Sequence, residues 1–169
     1  MPAGLKQTSS VVAIGFQTQE SAANTFTEAS TDLNLSPLDR EVFVVTSINL
    51  DPIAPDALPG LNTQVNCALT TTSQTAVANL SSSNCLATAN LDIRSTAPGD
   101  SVGFTRNGME TPPAILDYIG IIATNDFFVA IKGVNNATAK FVSGKLYGYR
   151  ARADADVFAA LVQSEVLSA

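Results

Sequence analysis

The stretch Glu41-Val-Phe-Val-Val-Thr-Ser-Ile-Asn-Leu50 decides the fold class. Its residues alternate, with Val42, Val44, Thr46, Ile48 and Leu50 on one side and Phe43, Val45, Ser47 and Asn49 on the other, which is the period of a β-strand. Val, Ile, Thr and Phe dominate it, and such side chains suit a pleated, half-buried surface. Asp51-Pro-Ile-Ala-Pro-Asp-Ala-Leu-Pro-Gly60 follows. Its prolines donate no backbone hydrogen bond, so no ladder continues through it.

Similar short segments lie downstream. Thr63 to Thr72 alternates Val65, Cys67 and Leu69 with Asn66, Ala68 and Thr70, which places the Cys67 thiol on an apolar face. Thr70 to Asn84 is rich in Ser, Thr, Asn and Ala and reads as strand or loop. Leu86 to Arg94 and Ser101 to Arg106 flank the turn Ala97-Pro-Gly-Asp100. Asn107-Gly108 and Pro112-Pro113 mark the next breaks, and Ile115 to Ile122, Phe127 to Lys132 and Ala139 to Tyr149 are apolar runs joined by short loops suited to antiparallel neighbours. Strands spaced by turns without intervening helical patterns predict an all-β protein, an antiparallel β-sandwich or jelly roll of about eight strands.

The two ends differ from this core. Residues 1–38 carry one short apolar strand, Val11 to Phe16, and then a polar run ending at Pro37, so they are expected to form an N-terminal arm before a sandwich domain over residues 39–152. Over residues 153–169 the period changes: Val157, Phe158, Leu161, Val162, Val166 and Leu167 fall at steps of three and four, the stripe of an amphipathic C-terminal helix. Asp154 or Asp156 is placed to cap its first turn. The stripe must be buried on the chain's own sheet or on a neighbouring copy.

Composition narrows the function. The 169 residues are 46% hydrophobic and only 14% charged, and a weakly charged surface favours association. The net charge is −6, so a basic surface for nucleic acid is not expected. Phe127 to Arg152 nevertheless contains Lys132, Lys140, Lys145, Arg150 and Arg152 and no acid. This basic segment reads as solvated strand edges or as a partner for the acidic region of a neighbouring subunit. No signal peptide and no run of the ~18 apolar residues of a membrane span is legible, and no membrane insertion is expected.

There is no histidine, which removes the commonest general base and the usual partner of a Ser or Cys nucleophile. Neither a phosphate-binding loop nor a dinucleotide fingerprint is present. Asp92, Asp100, Glu110, Asp117 and Asp126 are the carboxylates available for acid–base work, but no spacing singles out a pair. Asp51 and Asp56 beside the Pro-rich loop fall short of the ligand number Ca²⁺ needs. Cys67 and Cys85 read as buried thiols or one cross-strand disulfide, and two Cys without His do not make a zinc site. The expectation is a protein that is not an enzyme and uses no cofactor or metal. Tyr147 and Tyr149 share one face of the last strand beside Arg150 and Arg152, a composition typical of contact hot spots. With Phe158, Leu161 and Val162 of the helix stripe, they are the candidates for subunit contact.

The polar N-terminal arm, the long strand ending in a Pro-rich loop and the roughly eight strands up to Tyr149 resemble the single jelly-roll proteins of virions. That resemblance implies a capsid shell subunit or a capsid-decoration protein, made in the host cytoplasm and located in the virion. Its partners would be further copies of itself and other virion proteins. Many such capsid proteins carry a basic arm for genome contact, whereas this arm has only Lys6 against Glu20, Glu28 and Asp32. That difference favours an outer or decorating position. The alternative is a carbohydrate- or receptor-binding β-sandwich of a fibre or appendage.

Overall fold

In the computed structural model, which describes residues 1–107 and 116–169, the stretch that opened the reading lies in a twelve-residue strand, β4 (Glu41–Pro52). Its alternation does not hold from end to end. Ser47 stands opposite Tyr147 and Val45 opposite Gly148, so Thr46 is an extra, bulged residue. The bulge exchanges the faces. Phe43 and Val45 before it, and Ile48 and Leu50 after it, all belong to the inner core, whereas Val42 and Val44 face the other way. Thr46 Oγ1 donates to the Tyr147 carbonyl at 3.2 Å.

Two antiparallel sheets are built around β4. The first takes β4, β8 (Gly120–Ile122) and β10 (Phe141–Ala153), with β1 (Leu5–Gln7) and β2 (Val12–Gln19) occupying successive lengths of the same edge of β10. The second runs in the order β3 (Thr27–Asp32), β9 (Asp126–Val134), β5 (Thr63–Thr70), β6 (Cys85–Ala97), β7 (Asp100–Asn107). Four pairs are nested in the chain: β2 with β10, β3 with β9, β4 with β8, and β5 with β6. Among the described residues the strands number ten rather than about eight. The breaks expected at Gly108 and Pro112-Pro113, Glu110, and Ile115 at the start of its run lie outside the described residues; of the rest of that run only Gly120–Ile122 is strand.

Residues 1–38 do not form an arm outside the sandwich. They supply β1, β2 and β3, which pair with β10 and β9. The expectation failed because β3 is Thr-Glu-Ala-Ser-Thr-Asp, a strand whose hydrogen bonds come from β9 and whose side chains give almost no apolar signal.

The core lies between the sheets. Phe43, Ile122, Leu146 and Val142 from the first sheet meet Val65, Leu69, Phe127, Val129 and Ile131 from the second, all nearly or wholly buried. Each such side chain contributes roughly 1.5–3 kcal/mol by leaving water. Phe16 and Phe127 cross the sheet interface edge to face, with ring centroids 5.7 Å apart. Gly144 and Gly148 of β10 make this packing possible: a Cβ on either would run into the ring of Phe16 or Phe43 and into a β4 backbone carbonyl.

A second apolar layer covers the outer side of the first sheet. Helix α1 (Ala155–Leu167) lays Val157, Phe158, Leu161 and Val162 on Val42, Val44, Ala123, Tyr149, Ala151 and Ala153. Asp154 occupies the N-cap position, but its side chain makes no capping hydrogen bond. The helix is instead fixed near its other end. Glu165, only 7% exposed, accepts from the amides of Ala123 and Thr124 at 2.9 and 2.8 Å. Among the described residues no helix is long and apolar enough to cross a membrane.

Candidate functional site

The seven residues expected to meet neighbours mostly serve this chain itself. Phe158, Leu161 and Val162 are partly buried against the chain's own sheet, whereas Val166 and Leu167 at the end of the stripe are exposed. Tyr149 is buried beneath the helix. Tyr147 shares its face and is half-buried. Arg150 and Arg152 alternate onto the opposite side of β10, so the tyrosines and arginines do not form one patch.

The arginines bind acids and carbonyls of the N-terminal part of the chain. Arg150 donates to the carbonyls of Leu33 and Asn34 at 2.6 and 2.9 Å and to Glu41 at 3.1 Å. These bonds anchor the link between β3 and β4. Arg152 meets Asp39 at 3.3 Å on the exposed surface, a geometry worth little by itself. The basic segment thus pairs within the chain with acids from the first sixty residues, and a third member makes the pattern clearer.

That third member is Lys140. Its side chain is 7% exposed and its ammonium sits 2.5 Å from Asp56, whose side chain is 25% exposed. Asp56 also accepts from the backbone amides of Ala137 and Thr138 at 2.9 and 3.0 Å. The Lys140 ammonium is the main reason the Asp56 carboxyl is held down, from 3.8 to about 2; the Thr138 and Ala137 donors add to this and desolvation opposes it. A wider polar network surrounds the pair. Glu20 accepts from the amides of Gly133 and Lys140, and Asn24 exchanges two hydrogen bonds with the backbone of Asn136. Asn136 in turn receives the Asp56 amide and donates to the Gln64 carbonyl. Together they tie the β2–β3, β4–β5 and β9–β10 connections into one rigid end of the sandwich. Asp56 is therefore a stitch between loops rather than a cation ligand. Among the described residues no group of three or more His, Cys, Asp or Glu could hold a metal ion.

Asp92 is a buried acid with a cationic setting of its own. Its side chain is 6% exposed, with Arg106 at 3.2 Å and Arg94 at 3.7 Å, while its Oδ1 has no hydrogen-bond partner. Cys67 and Cys85 are both free thiols. Burial pushes Cys67 up to about 12 and Cys85 to about 11, which makes both poor nucleophiles.

No protein-family model, curated protein or solved structure matches the chain. The surface therefore has to be read from its own geometry.

One surface that the sequence reading did not single out lies on β7. All eight of its residues are exposed, with Val102 at 58% and Phe104 at 52%. The cause is the width of the sheets. Among the described residues the second sheet has one more strand across than the first, so β7 projects past its edge. Under the overhang is a cleft of about 320 Å³, lined by Leu91, Ile93, Gly103 and Thr105 together with Ala54 and Pro55. The sequence signal for this surface is only the alternation Val102, Phe104, Arg106. Any half-buried strand shows the same pattern, so it does not distinguish an exposed strand from a covered one.

Proposed function

We propose that this chain is a structural subunit of a virion, a capsid shell protein or a capsid-decoration protein, built as a jelly roll. The observation that carries the reading is the nested pairing of β2 with β10, β3 with β9, β4 with β8 and β5 with β6. The pairs are dealt alternately to two facing sheets, which is the strand order of a jelly roll, the architecture common among viral capsid domains. Fold alone does not fix function, so the surface chemistry matters as well. Lys140, Arg150 and Arg152 are taken up by acids of the same chain. This leaves the basic segment little to offer a genome and favours an outer position.

The test is negative-stain microscopy together with light scattering on purified protein at rising concentration. Closed shells, rings or symmetric oligomers are expected. A species that stays monomeric at the highest concentration reached would count decisively against the reading.

A glycan- or receptor-binding module is the second reading, and one arrangement favours it. On the outer face of the second sheet the register sets Asn66 beside Asn90 and Gln64 beside Asp92, with Arg106 and Phe104 next across on β7. Amides for sugar hydroxyls thus stand near an exposed ring. Binding on a glycan array that disappears in Phe104→Ala would support it; an empty array would remove it.

A further inference from the structure

We propose that β7 is the seam at which two copies of this chain pair, antiparallel about a twofold axis, so that their second sheets join into one continuous sheet. The inference rests on the assembly reading above and names the contact that reading leaves open.

The first support is the state of this edge. An outermost strand presents a row of backbone N–H and C=O groups, and proteins usually blunt such edges with proline, Lys, bulges or very short strands. The described strand at the far end of the first sheet, β8, has only three residues. By contrast, β7 is eight residues long, and Asp100 to Arg106 contains neither proline nor Lys. Its only strand partner among the described residues is β6.

The second support is that the sequence is complementary to itself in one register. With Gly103 opposite Gly103 of a second copy, antiparallel pairing sets Val102 against Phe104, Ser101 against Thr105 and Asp100 against Arg106, each twice by symmetry. Opposite charges and an aromatic–β-branched pair are the directly opposed combinations that stabilise a sheet. Shifting the register to put Phe104 on the axis separates Asp100 from Arg106. Arg106 keeps donors to spare, because its contact with Asp92 uses one guanidinium nitrogen. Asp100, Val102, Phe104 and Arg106 all fall on the outer face, so pairing unites the apolar side chains of two copies into one patch. Gly103 faces the overhang, where a Cβ would meet nothing within 4 Å.

One seam of this length buries less than the ~1,200 Å² of a standard interface. It is expected to be weak in free dimers and reinforced where other contacts hold the copies together.

Four variants of the whole chain test it by sedimentation equilibrium and oxidative cross-linking, with circular dichroism to establish folding. In Gly103→Cys, residues opposed on the axis have Cα atoms about 4.5–5.5 Å apart, within disulfide reach. Oxidised glutathione should therefore convert it to covalent dimer at least tenfold faster than Gly15→Cys, a control at an equally open glycine on β2. Asp100→Arg should weaken dimerisation at least tenfold by opposing two arginines at each end. Mixing it with Arg106→Asp should restore pairing, since the heterodimer carries opposite charges at both ends; if Arg106→Asp does not fold, the cysteine pair still decides the matter. Equal cross-linking of the two cysteine variants in a protein that does oligomerise would overturn the β7 seam and leave the assembly reading standing. A parent chain monomeric at every concentration would overturn both.

Discussion

Replacing Asp56 by Asn removes the charge that ties two loops together, and its cost can be worked from the geometry. In the folded protein Lys140 and the backbone donors of Thr138 and Ala137 lower the carboxyl from 3.8 to about 2. At about 1.4 kcal/mol for each pH unit of displacement this corresponds to roughly 2 kcal/mol. The side chain is one-quarter exposed, so solvent screens part of this. The substitution adds a cost of the opposite kind, because it leaves the nearly buried Lys140 ammonium without its counter-charge. About 2 kcal/mol is the net expectation at neutral pH, a fall in Tm of about 4–8 °C for a domain of this size. A carboxyl depressed by folding stabilises above its unfolded value and ceases to do so as pH drops through its folded one. The difference between parent and Asp56→Asn should therefore be complete above about pH 5, shrink below pH 3.8 and largely vanish near pH 2. Thermal melts followed by circular dichroism across pH 7 to 2 measure it. Asp56→Asn with Lys140→Met should recover part of the loss. A Tm difference under about 1 °C at pH 7, or one that persists unchanged at pH 2, would refute the ion-pair account.

Three further outcomes are expected. Glu165→Ala leaves the amides of Ala123 and Thr124 without their acceptor, which should cost about 2–3 kcal/mol and speed hydrogen exchange at those two amides in particular. Gly148→Ala drives a methyl into the Phe43 ring and the Val44 carbonyl; destabilisation of about 3 kcal/mol in urea melts is expected, whereas Gly15→Ala, which meets nothing, should change stability by less than about 1 kcal/mol. Cys67 and Cys85, raised to about 12 and about 11, should resist iodoacetamide at pH 8 in the folded protein and react within minutes once it is unfolded, as mass spectrometry would register.

The register of β4 shows how far the residues alone reach. Their alternation identified a strand correctly, yet it assigned Ile48 and Leu50 to the same face as Val42 and Val44. The bulge at Thr46 goes with Phe43 packing over Gly148 and Val44 lying with Tyr149 under the helix, a placement against β10 and α1 that the alternation within β4 does not record. The acids of the N-terminal region and the cations of Phe127 to Arg152 were both evident as charges. Their pairing within one chain depended on β10 running beside β4, which brings Arg150 to Glu41 and Arg152 to Asp39.

The sequence by itself determined that this is a β protein closed by an amphipathic helix, because period-two and period-3.6 burial are local properties that each segment carries whatever its neighbours. It also excluded histidine side chains from any site these residues build, since composition is the same in every fold. Only the tertiary structure decided which apolar residues stay in water. Val102 and Phe104 look in the sequence like any half-buried strand residues, and they are exposed because, among the described residues, the sheet opposite ends one strand short of them. Exposure is a property of what lies across a gap, and that is set by residues far away in the chain.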